Sequence, residues 1–176
     1  MHKDKFVFAQ LTQFLDRNHF NYLVKKYKGD KYIKSYTCWN QLLTMIFGQL
    51  SNRESLRDLI VAMEAHAGKL YHLGIGKSVT RSNLSKANEQ RDSRIFEEYA
   101  TFMIAEARRR RIYKIFELDG HAYAFDSTTI DLCLSVFEWA KFRKHKGGIK
   151  LHTLYDIEVE VPAFVHITPA NIHDSK

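Results

Sequence analysis

Tyr123-Ala124-Phe125-Asp126-Ser127-Thr128-Thr129-Ile130 is the stretch on which the fold turns. Its aromatic and β-branched residues predict a strand. That strand delivers a single carboxylate, Asp126, at its end into a cluster of hydroxyl residues, Ser127, Thr128 and Thr129. Downstream, Lys141, Arg143, Lys144, Lys146 and Lys150 accumulate, and no carboxylate interrupts them between Glu138 and Asp156. An acid at a strand end beside such cations suits metal-dependent phosphoryl transfer. The acid holds Mg²⁺ and the cations hold phosphate.

The wording of the stretch is more particular than its spacing. Asp126-Ser127-Thr128, the run from Trp139 to Gly147 (Trp-Ala-Lys-Phe-Arg, then Lys-Gly) and Lys150-Leu151-His152 resemble the bacterial insertion-sequence transposases of the DDE type. The branch they resemble is insertion-sequence-four. The ending Ile167-Thr168-Pro169-Ala170-Asn171-Ile172-His173-Asp174 is similar to the strand and turn before that family's second catalytic Asp. The resemblance implies an RNase-H-like core in which Asp126 is the first catalytic acid and the first metal ligand, supported by Ser127, Thr128 and His152. It also implies Mg²⁺ or Mn²⁺ in the complete enzyme. The family's Asp-Arg-Gly-Tyr and Tyr-x-x-Arg-x-x-x-Glu motifs do not occur in the sequence. The expectation is therefore a fragment that binds no metal tightly and is inactive alone.

Composition bounds the rest. The chain has 176 residues, 45% of them hydrophobic, a formal net charge of +7 and a mean hydropathy of −0.37. A sizeable core and an anionic partner follow from those values. Cys38 and Cys133 lie far apart without metal-ligand spacing, which suits a reducing cytosol. His145, His152, His166 and His173 also lack the spacing of zinc sites. The start carries no signal-peptide core and no stretch reaches membrane-spanning length, so a cytoplasmic protein is expected, and the resemblance implies a bacterial, nucleoid-associated one.

Along the chain, apolar residues from Phe6 to Leu23 follow a helical period, and Lys25, Lys26, Lys28, Lys31 and Lys34 come next as a solvated loop. Thr37 to Leu50 predicts a buried helix, Ser51-Asn52-Arg53-Glu54 a capping box, and Leu56 to Leu70 a second helix packed on the first. Gly76-Lys77-Ser78 imitates a phosphate loop, but Tyr71 stands where its first Gly belongs. Thr80 caps a short helix whose Arg81, Ser82, Ser85 and Lys86 are residue types that reach phosphates and base edges. A longer helix from Asp92 ends in Arg108-Arg109-Arg110-Arg111, a candidate phosphate-contacting patch. Ile112 to Leu118 is a candidate strand or lead-in closed by Asp119-Gly120, and Ile149 to Tyr155 alternates as a strand should.

The expected fold is α+β: an all-helical DNA-binding region, then the first three strands of a truncated RNase-H-like domain. Segment boundaries are placed at 1–75 (helical leader), 76–114 (helix-turn-helix-like) and 115–176 (incomplete catalytic domain). The expected function is a transposase fragment. It binds transposon-end DNA and, when complete, cuts and joins DNA. Its partners would be double-stranded terminal inverted repeats, target DNA and, in the complete protein, a second copy. The alternative is a non-catalytic DNA-binding remnant that inhibits intact transposase.

Overall fold

The fold is α+β, as the residues predict. A computed structural model describes residues 6–76, 78–110, 122–132, 141–143 and 146–172. Two compact units divide the chain, Met1–Thr101 and Phe102–Lys176.

In the first unit, local capping sets the helix starts. The expected helix from Phe6 is two, α1 (Val7–Leu11) and α2 (Arg17–Lys26), with a 3-10 turn at Thr12–Phe14 between them. Leu15 is extended, and Asp16 restarts the helix by accepting from the His19 N–H at 2.9 Å. Thr37 caps α3 (Cys38–Leu50) in the same way, through the Asn40 N–H at 3.2 Å. The expected capping box at Ser51 is not formed. Ser51 Oγ turns back to donate to the Phe47 carbonyl at 2.6 Å, and Asn52 takes a left-handed φ of 54° that closes α3. The next helix, α4 (Leu56–Ala65), starts at Ser55, whose hydroxyl accepts from the Asp58 N–H at 3.1 Å. Two glycines with φ of 79°, Gly74 and Gly76, turn the chain after Leu73, where the sequence predicts a helix-ending turn.

Thr80 caps α5 (Arg81–Gln90), and α6 (Arg94–Arg110) follows. Leu43, Leu59, Met63, Leu70, Ile75 and Leu84 are almost wholly buried and form the core. Beside it, Phe20 meets Trp39 and Tyr99 edge-on at 5.4 and 4.9 Å between ring centres.

Among the described residues, the second unit holds the end of α6 and a four-stranded antiparallel sheet of β1 (Tyr123–Leu132), β2 (Lys141–Arg143), β3 (Lys146–Asp156) and β4 (Val161–Pro169). Strand β3 is central and pairs with each of the other three. The Lys141–Arg143 stretch forms a short strand whose Arg143 pairs with Lys146. The alternation expected for Ile149–Tyr155 is the one that the register fixes. At the end of β3, Asp156 accepts from the backbone N–H groups of Glu158 and Val159 at 3.1 and 3.3 Å, which shapes the turn into β4. Phe125, Ile130, Phe164, Val165 and Ile167 remain substantially exposed on the strands. The expected strand at Ile112–Leu118 and turn at Asp119-Gly120 lie outside the described residues.

Candidate functional site

Asp126 lies inside β1 rather than at its end. The β-branched Thr128, Thr129 and Ile130 carry the strand on to Leu132, and Asp126 pairs with Thr153 of β3. Opposite residues of an antiparallel pair share a face, and successive residues alternate. The register therefore groups Asp126 with Thr128, Leu151, Thr153, Val165 and Ile167. Ser127, Lys150 and His152 share the other face with Phe125, Phe164, His166 and Thr168. Of the residues expected beside the acid, the sheet thus brings Thr128 to it and sets Ser127, Lys150 and His152 on the reverse side. Asp126 itself is exposed.

That reverse side is organised around His152. The ring is buried, its Nε2 is 2.8 Å from Thr168 Oγ1, and it stacks between Phe125 and His166 at 6.0 and 6.4 Å. Lys150 Nζ donates to the Ile172 carbonyl at 3.1 Å, tying β3 to the chain after β4. Both side chains thus work within the sheet's own framework.

Asp126 offers one charge, and a divalent ion that retains most of its waters needs more than one carboxylate to be held. Among the described residues, no cluster of three or more His, Cys, Asp or Glu could hold a metal. The described residues by themselves do not fit a two-ion centre.

The expected cationic patches divide. Arg108 Nη2 pairs with Asp156 Oδ2 at 2.7 Å, so it braces the turn that Asp156 caps. Arg109 and Arg110 both reach Glu106, at 2.8 and 3.8 Å. Lys141 and Arg143 fall on β2 and Lys146 opens β3, while Arg111 and Lys144 lie outside the described residues. On α5, Arg81, Ser82, Ser85 and Lys86 are exposed, with Leu84 and Ala87 buried beneath them. Asn88, also exposed, accepts from Gln41 Nε2 at 2.6 Å.

Arg91, which the sequence offers no reason to single out, is the side chain that fastens this region. Its guanidinium donates to the Tyr36 carbonyl, to the Thr37 carbonyl at 3.1 Å and to Gln41 Oε1 at 2.7 Å. Only proximity in the fold reveals it, because its partners lie about fifty residues away in sequence. Nearby, burial pushes the Tyr36 hydroxyl and the Cys38 thiol each up to about 12.

Residues 117–176 match the family described as the transposase DDE domain, and residues 3–76 match a domain of unknown function, DUF4372. No curated protein and no solved structure matches the chain. The transposase DDE-domain match thus covers the sheet-bearing last third of the chain, and the match over the helical part assigns no function. No helix among the described residues is long and apolar enough to cross a membrane.

Proposed function

We propose that the chain is part of an insertion-sequence-four transposase, with a helical half that holds transposon-end DNA and a sheet that carries the first catalytic acid. The observation that carries this reading is the coincidence of the DDE-domain match with an antiparallel sheet whose first described strand exposes Asp126. In this reading Asp126 contributes one ligand to divalent ions, and Thr128 is its hydroxyl neighbour on the same face. Arg81, Ser82, Ser85 and Lys86 of α5 contact the duplex, and Arg109, Arg110, Lys141, Arg143, Lys146 and Lys150 add positive field over the second unit. Arg108 acts by bracing the turn at Asp156 rather than by meeting phosphate.

The 176 residues carry one acid of the family's three, so the chain alone holds DNA without cutting it. The exposed face of α5, with Arg81, Ser82, Ser85 and Lys86, also suits a second reading, a non-catalytic DNA-binding module that competes with an intact transposase for its ends. One experiment bears on both. The chain is titrated into labelled duplex DNA over a range of salt, and supercoiled plasmid is incubated with it and Mg²⁺. Salt-sensitive binding without nicking is expected. Absence of duplex binding at low salt refutes DNA holding in either form, and nicking that Asp126→Ala abolishes refutes inactivity alone.

A further inference from the structure

The lysine-rich loop between α2 and α3 is not a plain solvated connection. Its inner side is locked into the core. Asp30 Oδ1 accepts from the Cys38 N–H at 2.7 Å, and Gly29 packs so closely that an added Cβ would lie 2.5 Å from Ile95 Cδ1. Its outer side holds Lys28, Lys31 and Lys34 in solvent, with Tyr32 89% exposed at the tip. Lys28 and Tyr32 sit at φ of 54° and 63°, left-handed values that cost non-glycine residues about 1–3 kcal/mol each. An unconstrained connection would relax them; this one is held.

Across from the loop stands α5, and a groove of about 470 Å³ runs between them. The α5 wall is Asn83, Lys86 and Gln90, spaced to fall on one helical face. Lys28, Lys31, Lys34, Lys86 and Arg91 all line the groove, against a single acid, Asp92. That acid is already answered. Arg94 pairs with it at 2.6 Å and holds its carboxyl below the usual carboxylate range. Among the described residues, the four lysines have no carboxylate partner.

We propose that this groove seats the sugar–phosphate backbone of duplex DNA. The loop lysines take successive phosphates, and the Asn83–Lys86–Gln90 face of α5 meets the adjoining base edges. A site for a small apolar ligand would be lined mainly by hydrophobic side chains. Here lysines without a carboxylate partner face the amides of Asn83 and Gln90, which suits a repeating phosphate with polar edges beside it. Tyr32 at the rim offers its ring to a sugar or base. The inference rests on the DNA-holding reading above and adds to the α5 contacts a groove-facing set, Asn83 and Gln90 beside Lys86.

The test uses the whole chain, a labelled duplex and anisotropy at several salt concentrations. Each phosphate neutralised contributes about 0.9 to the slope of log affinity against log salt, so Lys31→Gln/Lys34→Gln/Lys86→Gln should flatten that slope by about 2.7. Asn83→Ala should weaken binding and leave the slope in place, because an amide releases no counterion. Arg57→Gln, an exposed cation of α4 that does not line the groove, should leave the slope unchanged. Should the triple variant lose its melting transition, the single variants carry the same test at about 0.9 each. If the unaltered chain binds duplex and the triple variant keeps its slope, the groove is refuted and DNA holding stands. If the unaltered chain does not bind, both fail. Polyglutamate displacing the duplex at equal charge concentration would assign the groove to an acidic polypeptide and overturn the proposal.

Discussion

Replacing Arg91 with Met tests whether one buried guanidinium holds the first unit's helices in register. Met keeps most of the aliphatic stem at this extended C-cap of α5 but loses every donor. The Arg91 side chain is 6% exposed, and it serves the Tyr36 carbonyl, the Thr37 carbonyl at 3.1 Å and Gln41 Oε1 at 2.7 Å. Its guanidinium also lies 5.4 Å above the Tyr36 ring. A hydrogen bond to a charged group contributes about 1.5–3 kcal/mol, and a buried acceptor left without its donor keeps its desolvation cost. The groove beside Arg91 admits water to some of the freed carbonyls, so the sum is not fully additive. A loss of about 3–5 kcal/mol is expected, which lowers the melting midpoint of a unit this size by roughly 12 °C or more. Trp39 packs on Phe20 within the same unit and reports its unfolding. With Trp139→Phe as background, Trp39 is the only tryptophan left, and urea unfolding followed by its fluorescence gives the free energy directly. A loss below about 1 kcal/mol would mean that the carbonyls are satisfied without Arg91, and the argument for a fastening role would fail.

Other outcomes follow from the same contacts. Gly29→Ala places a methyl 2.5 Å from Ile95 Cδ1 and 2.7 Å from Cys38 Sγ, both in fully buried residues, so overpacking should cost about 1–3 kcal/mol in the same urea assay. Asp156→Ala removes the partner of Arg108 and the acceptor for two backbone N–H groups; proteolysis in the 157–160 turn should accelerate, and an unchanged cleavage rate would contradict the bracing role. Burial raises Tyr36, Cys38 and Tyr99 to about 12 in the folded state, whereas unfolded thiols and phenols titrate near about 8.5 and 10. The unfolded chain therefore gives up these protons first. The stabilisation is whole below about pH 8.5 and is lost as pH rises from there towards 12, so the urea midpoint should fall over that window; a flat profile would refute the burial argument. With Cys133→Ser in place, Cys38 should react with a thiol reagent only as fast as the unit opens, because its thiol is buried and protonated at neutral pH.

The sequence determined whatever depends on a few neighbouring residues. Thr37 and Thr80 mark helix starts because a hydroxyl reaches an N–H three positions on, and the alternation along β3 is written in its own residues. The Asp126 motif and the strand that carries it were legible for the same reason. Ser51 was misread because its hydroxyl had two local choices, an N–H ahead or the Phe47 carbonyl behind, and Asn52 closing α3 in a left-handed turn decided between them. What pairing and packing decided is the company each side chain keeps. The register of β1 on β3 sets His152 and Lys150 across the sheet from Asp126, since a one-residue shift would exchange the faces. The groove was illegible because its two walls, Lys28–Lys34 and Asn83–Gln90, meet only once the core has drawn Gly29 against Ile95 and Arg91 has capped the carbonyls before α3. Local hydrogen bonds choose the elements, and burial of apolar area, which is indifferent to distance along the chain, chooses which of them meet.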